Sequence, residues 1–172
     1  LFGASNELPD GKELEALFDR FLLRFDVQYL LRTSSFRAVL LAPEPGSAQA
    51  LSMDELREAQ AEAAGLELTE ETIQALIGIR EGCRAEGIVA SDRRWKKLLR
   101  VVQATAYLAG EASTTPEDLL VLTHALWREP KEHAKVAQVV GQLADPVSAR
   151  AAEVLDAARE TAARVAALRT SD

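Results

Sequence analysis

The sequence predicts a mainly α-helical protein: a helical bundle preceded by a short α/β stretch and followed by further amphipathic helices. Three observations carry this. Residues 1–41 alternate strand-like and helix-like runs. Residues 42–50 (Ala-Pro-Glu-Pro-Gly-Ser-Ala-Gln-Ala) gather Pro, Gly and Ser as linkers do. Everything beyond reads as a succession of capped helices.

Each element has its own signal. Residues 1–5 form an apolar run expected as a buried strand, which delivers Asn6 to its C-terminal end, where open α/β sheets bind ligands. A short helix over 13–21, a second strand over Leu22 to Val27 and a helix over Ser34 to Leu41 complete the alternation. Ser52 and Glu55 then make a capping box before Leu56, opening a helix that runs to about Gly65. Thr69 starts the next, with Ile73, Leu76, Ile77 and Arg80 at helical spacing and Gly82 to Gly87 closing it.

Ser91 caps a long third helix whose Leu98, Leu99, Val102 and Tyr107 share a broad face. Thr115-Pro116-Glu117-Asp118 is the strongest helix start in the chain: a cap, Pro at the first helical position, then two acids beside the positive end of the macrodipole. Leu119, Leu122 and Leu126 follow on one face. Val136, Val139, Val140 and Leu143 recur as i, i+3, i+4, i+7, and Asp145-Pro146 opens a last, Ala-rich helix. Its stripe of Val147, Ala151, Val154, Ala158, Val165 and Leu168 needs a partner surface. Packing on its own chain is the expectation, with an oligomer or partner contact as the alternative.

Composition bounds the function. At 172 residues, 48% apolar and 27% charged, the chain has the balance of a folded soluble body with one proper core. Its 20 Lys and Arg against 27 Asp and Glu give a net charge of -7, which argues against nucleic-acid binding over the whole surface. The lone Cys83 cannot form an internal disulfide, suits a reducing compartment and makes the cytoplasm the default location. No apolar run approaches the ~20 residues of a membrane-spanning helix. Residue 1 is a Leu already inside an apolar run, so the start reads as a boundary and not as a natural N-terminus.

Ser91-Asp92-Arg93-Arg94-Trp95-Lys96-Lys97 places four cations in the first two turns of a helix, the end where the macrodipole disfavours them. Free N–H groups flanked by guanidinium forks form a ready phosphate site. The alternative is a solvated basic turn with Asp92 as counter-charge. Arg20 stands beside Asp19, either as a structural ion pair or reaching toward a neighbouring subunit's phosphate. Asn at a strand end is most often a turn former, so Asn6 alone says little.

Other candidates fall away. His124 and His133 lack a metal-binding pattern, Trp95 and Trp127 read as groove fillers, and Cys83 reads as inert packing. Gly82 and Gly87 give G-x-x-x-x-G, but Ile88-Val89 stand where a phosphate loop requires Lys and Ser or Thr.

Gly3-Ala4-Ser5-Asn6-Glu7-Leu8-Pro9, Leu17-Phe18-Asp19-Arg20-Phe21-Leu22-Leu23-Arg24 and Val89-Ala90-Ser91-Asp92-Arg93-Arg94-Trp95-Lys96-Lys97, in this order, resemble the C-terminal half of a MoxR-type AAA+ ATPase, closest to the RavA subgroup. The resemblance covers residues 1 to about 130. It implies a remnant of the AAA+ α/β core over 1–42, a linker over 43–51, a helical lid domain over 52–130, and C-terminal amphipathic helices over 131–172 outside the resemblance.

It also implies roles. Asn6 would be the sensor-1 residue that polarises the attacking water; Arg20 would be the arginine finger supplied to the next subunit's ATP, with Arg24 the other candidate. Arg93 and Ser91, of one Ser-x-Arg segment, would bind the nucleotide, with Arg93 the sensor-2 residue clamping the γ-phosphate. The family works as hexameric, chaperone-like rings on Mg-ATP, often with a von Willebrand factor A-domain partner. Its phosphate-loop Lys and magnesium-binding acids would lie upstream of Leu1, so no ATP or Mg is expected bound to this chain alone. The competing readings are a stand-alone helical interaction module and a nucleic-acid binder using Arg93 to Lys97; the acidic balance disfavours the second.

Overall fold

The computed structural model describes residues 2–5, 20–43, 46 and 50–169. Six α-helices are described: α1 (Thr33–Leu40), α2 (Met53–Gly65), α3 (Glu70–Ala85), α4 (Asp92–Ala109), α5 (His133–Ala144) and α6 (Pro146–Arg169). Two 3-10 segments, Pro116–His124 and Pro130–Glu132, lie between α4 and α5. The fold is mainly α, as the caps and periodicities require.

The helix starts follow local chemistry. Ser52 Oγ accepts from Glu55 N at 3.1 Å while the Glu55 carboxylate accepts from Ser52 N at 2.7 Å, a complete capping box. These bonds hold the Glu55 carboxyl below its ordinary value. Thr69 Oγ1 accepts from Thr72 N, and Ser91 Oγ from Arg94 N, both at 3.2 Å. Both α3 and α4 end on a glycine turn. Gly87 and Gly110 each take φ +78°, a left-handed conformation that costs a residue with a Cβ about 1–2 kcal/mol. After α3, Ile88 N donates to Cys83 O and Gly87 N to Arg84 O, closing the last carbonyls of the helix.

The core gathers Ile79 and Cys83 of α3, Leu98 and Val102 of α4, Leu119 and Leu122 of the long 3-10 segment, and Val136 and Val140 of α5. α3 and α5 approach unusually closely at two glycines one turn apart. A Cβ built on Gly82 would stand 2.7 Å from Val139 Cγ1, and one on Gly78 3.3 Å from both Leu143 Cδ atoms. A second layer is α2 against α4, where Gln103 Nε2 donates to Leu66 O at 2.7 Å and Tyr107 Oη to Glu62 Oε2 at 2.6 Å. The start of α3 is tied to the segment after α4 by a threonine cluster. Thr114 N donates to Glu67 O at 3.0 Å, Thr69 Oγ1 to Thr114 O at 3.0 Å, and Thr114 Oγ1 lies 3.2 Å from both Glu67 O and Thr72 Oγ1.

Three expectations change. The start at Thr115-Pro116 opens a nine-residue 3-10 helix in place of an α-helix, far beyond the usual three or four residues. Its buried residues do not single out that winding: Asp118, Leu119 and Leu122 within it and Ala125 and Leu126 just beyond it are all buried, a set that also fits one α-helical face. Among the described residues no strand forms; residues 2–5 and Leu22 to Val27 are irregular, and the one bridge joins Glu67 to Ser113. A strand exists only when a neighbour completes its ladder, and the neighbours of Leu22 to Val27 here are carbonyls and guanidiniums of the helical body. Finally, among the described residues α6 meets α5, so the expected packing on its own chain is only partial: Val147, Val154 and Leu155 stay exposed.

Among the described residues α1 meets no other element, and Phe36, Val39 and Leu40 on it are exposed. No described helix is long and apolar enough to cross a membrane.

Candidate functional site

The site is built on the first turn of α4. Ser91 stands outside the helix in extended conformation (φ −68°, ψ 151°) and caps it, which leaves the earliest N–H groups of the helix pointing outward. Arg93 is exposed beside them, as are Lys96 and Lys97. Asp92, the expected counter-charge of this turn, is instead engaged by Arg80 of α3 at 3.2 Å. The turn therefore presents cations at the positive end of the macrodipole while its own acid faces another helix.

Arg94, the next residue, is buried with 5% exposure. Its Nε and Nη2 donate to Ala125 O at 3.2 and 2.6 Å, and Nη2 also lies 3.2 Å from Phe21 O and 3.1 Å from Leu22 O. Of the four cations, one is therefore consumed inside the fold. Arg24 is buried to the same degree. Its backbone N donates to His124 O at 2.7 Å and its Nη1 to Trp127 O. The two arginines occupy the end of the long 3-10 helix, where carbonyls have no partner within the helix and the dipole favours cations. That end also carries an aromatic row: Phe25 and His124 lie 4.7 Å apart, His124 and His133 5.8 Å, and Trp127 meets His133 edge-on at 5.8 Å.

Of the expected site residues, Ser91 and Arg93 lie together at the α4 start. Arg20 is exposed in a turn one residue before Phe21, whose carbonyl Arg94 binds. Asn6 lies outside the described residues. Trp127 is buried in the core and Trp95 packs against it, as groove fillers would. Cys83 is buried, and burial pushes its thiol up to about 11, so it is inert at neutral pH. Gly82 packs a helix crossing and Gly87 makes a turn, so both glycines of the G-x-x-x-x-G spacing have structural roles.

Sequence reasoning missed the internal roles of Arg24 and Arg94. A signal existed for Arg94: it shares the four-residue spacing of Leu98, Val102 and Ala106, all buried. Arg24 interrupts the apolar run Leu22-Leu23-Arg24-Phe25, a place where a charge must find partners.

Comparison with known proteins gives matches along most of the chain. Residues 71–140 match the AAA lid domain, and residues 1–68 match the MoxR domain in the MoxR-vWA-beta-propeller ternary systems. Two uncharacterized proteins of Methanocaldococcus jannaschii are similar. One is 36% identical over 138 residues, covering 80% of this chain and 37% of its own length; the other is 35% identical over 159 residues, covering 92% and 41%. The chain thus spans about two fifths of the length of these relatives. The two family matches support a MoxR-type AAA+ ATPase C-terminal region; the lid-domain match takes in α3, α4 and most of α5, while α2 falls within the MoxR-domain match.

Proposed function

We propose that this chain is the nucleotide-sensing and lid part of a RavA-like member of that family, acting within a chaperone-like hexameric ring. Arg93 clamps the γ-phosphate of the ATP held by its own subunit, Arg20 reaches the ATP of the next, and Asn6 orients the attacking water. Ser91 shapes the α4 start by capping it. The observation that carries the reading is the α4 first turn itself: an exposed Arg93 beside outward-pointing N–H groups, with Asp92 drawn off to Arg80. This donor set fits phosphate oxygens. Mg-ATP supplies the phosphoryl group; what this chain contributes is charge and lid position, and no magnesium ligand is assigned to it.

The family match over residues 1–68 carries a vWA and a β-propeller protein in its description, which supports a von Willebrand factor A-domain partner. A cytoplasmic location accords with the lone, buried Cys83. One observation favours a second reading, a helical interaction module: the uncovered apolar residues of α6.

The test uses the gene product that carries this chain. Arg20→Ala should keep ATP binding and lose turnover by about 10³ to 10⁵, the usual worth of an arginine finger, and recover when mixed with subunits lacking the phosphate-loop lysine. Arg93→Ala should weaken the coupling of lid to nucleotide and show no such recovery, because its own pocket is defective. Normal turnover in Arg20→Ala, or identical behaviour of both variants on mixing, would refute the reading.

A further inference from the structure

We infer that Arg94 is a positioning residue that joins the helix carrying Arg93 to the backbone carrying Arg20, so that the two arginines move as parts of one rigid piece. The inference rests on the reading above, in which both arginines meet phosphate. It begins from the carbonyls that Arg94 gathers: Nη2 reaches Phe21 O, Leu22 O and Ala125 O, and Nε also donates to Ala125 O. Arg94 is adjacent to Arg93 in the chain, and Phe21 is adjacent to Arg20. A guanidinium is planar and its donors point in fixed directions, so carbonyls bound to it are fixed relative to one another and to the helix that bears it.

Burial makes the link stiff. Arg94 is shielded from water, so withdrawing a carbonyl from it leaves a buried charge short of a partner, which costs far more than losing a surface bond. The same segment is held again three residues on. Arg24 binds His124 O through its backbone and Trp127 O through its side chain; Leu22 packs on the core and Phe25 lies on His124. Beyond Phe25 the attachment stops among the described residues: Val27, Tyr29 and Leu31 are almost fully exposed, and α1 meets no other described element. Residues 21–25 therefore belong mechanically to the helical body, although the linker lies some twenty residues downstream. A displacement of the α4 start as Arg93 meets an anion is passed through Arg94 to the Phe21 and Leu22 carbonyls, and so to Arg20. What one subunit senses at its own site is thereby delivered to its neighbour's.

The discriminating experiment compares Arg94→Met and Arg24→Met with Arg93→Ala and Arg20→Ala in the gene product that carries this chain. Arg94→Met alters the neighbour of Arg93, yet it should behave like Arg20→Ala. ATP binding should stay near parental, turnover should fall about 10²-fold, the scale expected for a group misplaced by about 1 Å, and mixing with subunits lacking the phosphate-loop lysine should restore activity. Arg94→Lys, whose single ammonium cannot reproduce the fork, should recover only part.

In both Met variants amide exchange over residues 21–25 should accelerate while α3 and α5 keep their protection, which separates a released segment from an unfolded protein. Parental exchange at 21–25 in both Met variants, or an Arg94→Met defect that mixing does not restore, would overturn the inference. If Arg20→Ala and Arg93→Ala leave turnover unchanged, the phosphate reading fails on its own. Exchange at 21–25 then still decides whether the link exists.

Discussion

Replacing Gly82 by alanine sets two effects of opposite sign against each other, and the structure decides which wins. In a helix interior the change gains about 1 kcal/mol of intrinsic propensity. The new Cβ, however, would stand 2.7 Å from Val139 Cγ1, where carbon atoms rest at about 3.5–4.0 Å. Val139 cannot swing aside, because a β-branched side chain in a helix has one strongly preferred rotamer. α3 and α5 must therefore separate, and overpacking of this kind costs about 1–3 kcal/mol. The net expectation is a loss of up to about 2 kcal/mol.

Gly78→Ala is the internal control, one turn away on the same face. Its Cβ would meet the two Leu143 Cδ atoms at 3.3 Å, the flexible end of a side chain that is 39% exposed and can yield. There the propensity gain should survive. Urea titrations at constant m should place the midpoint of Gly82→Ala below the parent and that of Gly78→Ala at or above it. Adding Val139→Ala should recover part of the Gly82→Ala loss, as coupling across a shared contact requires. A Gly82→Ala protein as stable as Gly78→Ala would refute the close approach of the two helices.

Cys83 titrates near 9 when unfolded and at about 11 when folded, so the stabilisation from keeping its thiol neutral is complete below pH 9 and is lost as pH rises through about 11. Cys83→Val should flatten that alkaline loss, read as stability against pH, and the parent thiol should resist labelling at pH 8 unless denaturant is added. Thr114→Val keeps the shape but removes the hydroxyl between Glu67, Thr69 and Thr72, leaving Thr69 N short of an acceptor; a cost of about 1–3 kcal/mol is expected by urea titration, and an unchanged midpoint would count against the cluster. Gly110→Ala forces a Cβ onto φ +78° and should cost about 1 kcal/mol with no change in helix content by circular dichroism.

What could be read in advance was what local chemistry decides. Ser52, Thr69 and Ser91 cap their helices because the cap bond lies within three residues of itself and needs no help from the rest of the fold. The spacing of Val136 and Val140 survives because the helical period alone puts both on one face. The 3-10 winding after Pro116 was not legible: Leu119, Leu122 and Leu126 fit an α-helical face, and the buried Asp118 and Ala125 extend that same face, so the apolar pattern carries no mark of the tighter repeat. Leu22 to Val27 has strand composition, but a ladder belongs to two segments and one segment cannot declare it. At the α4 start, the charge count hid a division of labour. Arg93 faces solvent and Arg94 the interior, which the period of the helix distinguishes and the net charge does not.

The grip of Arg24 and Arg94 on main-chain oxygens has an evolutionary corollary. Every residue type offers a carbonyl, so the partners at 21, 22, 124, 125 and 127 can change their side chains without disturbing these bonds. Selection acting on the link would therefore fall on the two arginines alone and leave no covarying partner. In a set of related sequences such positions look like isolated, unexplained constants, and pairwise covariation would pass over a connection that spans more than seventy residues of chain.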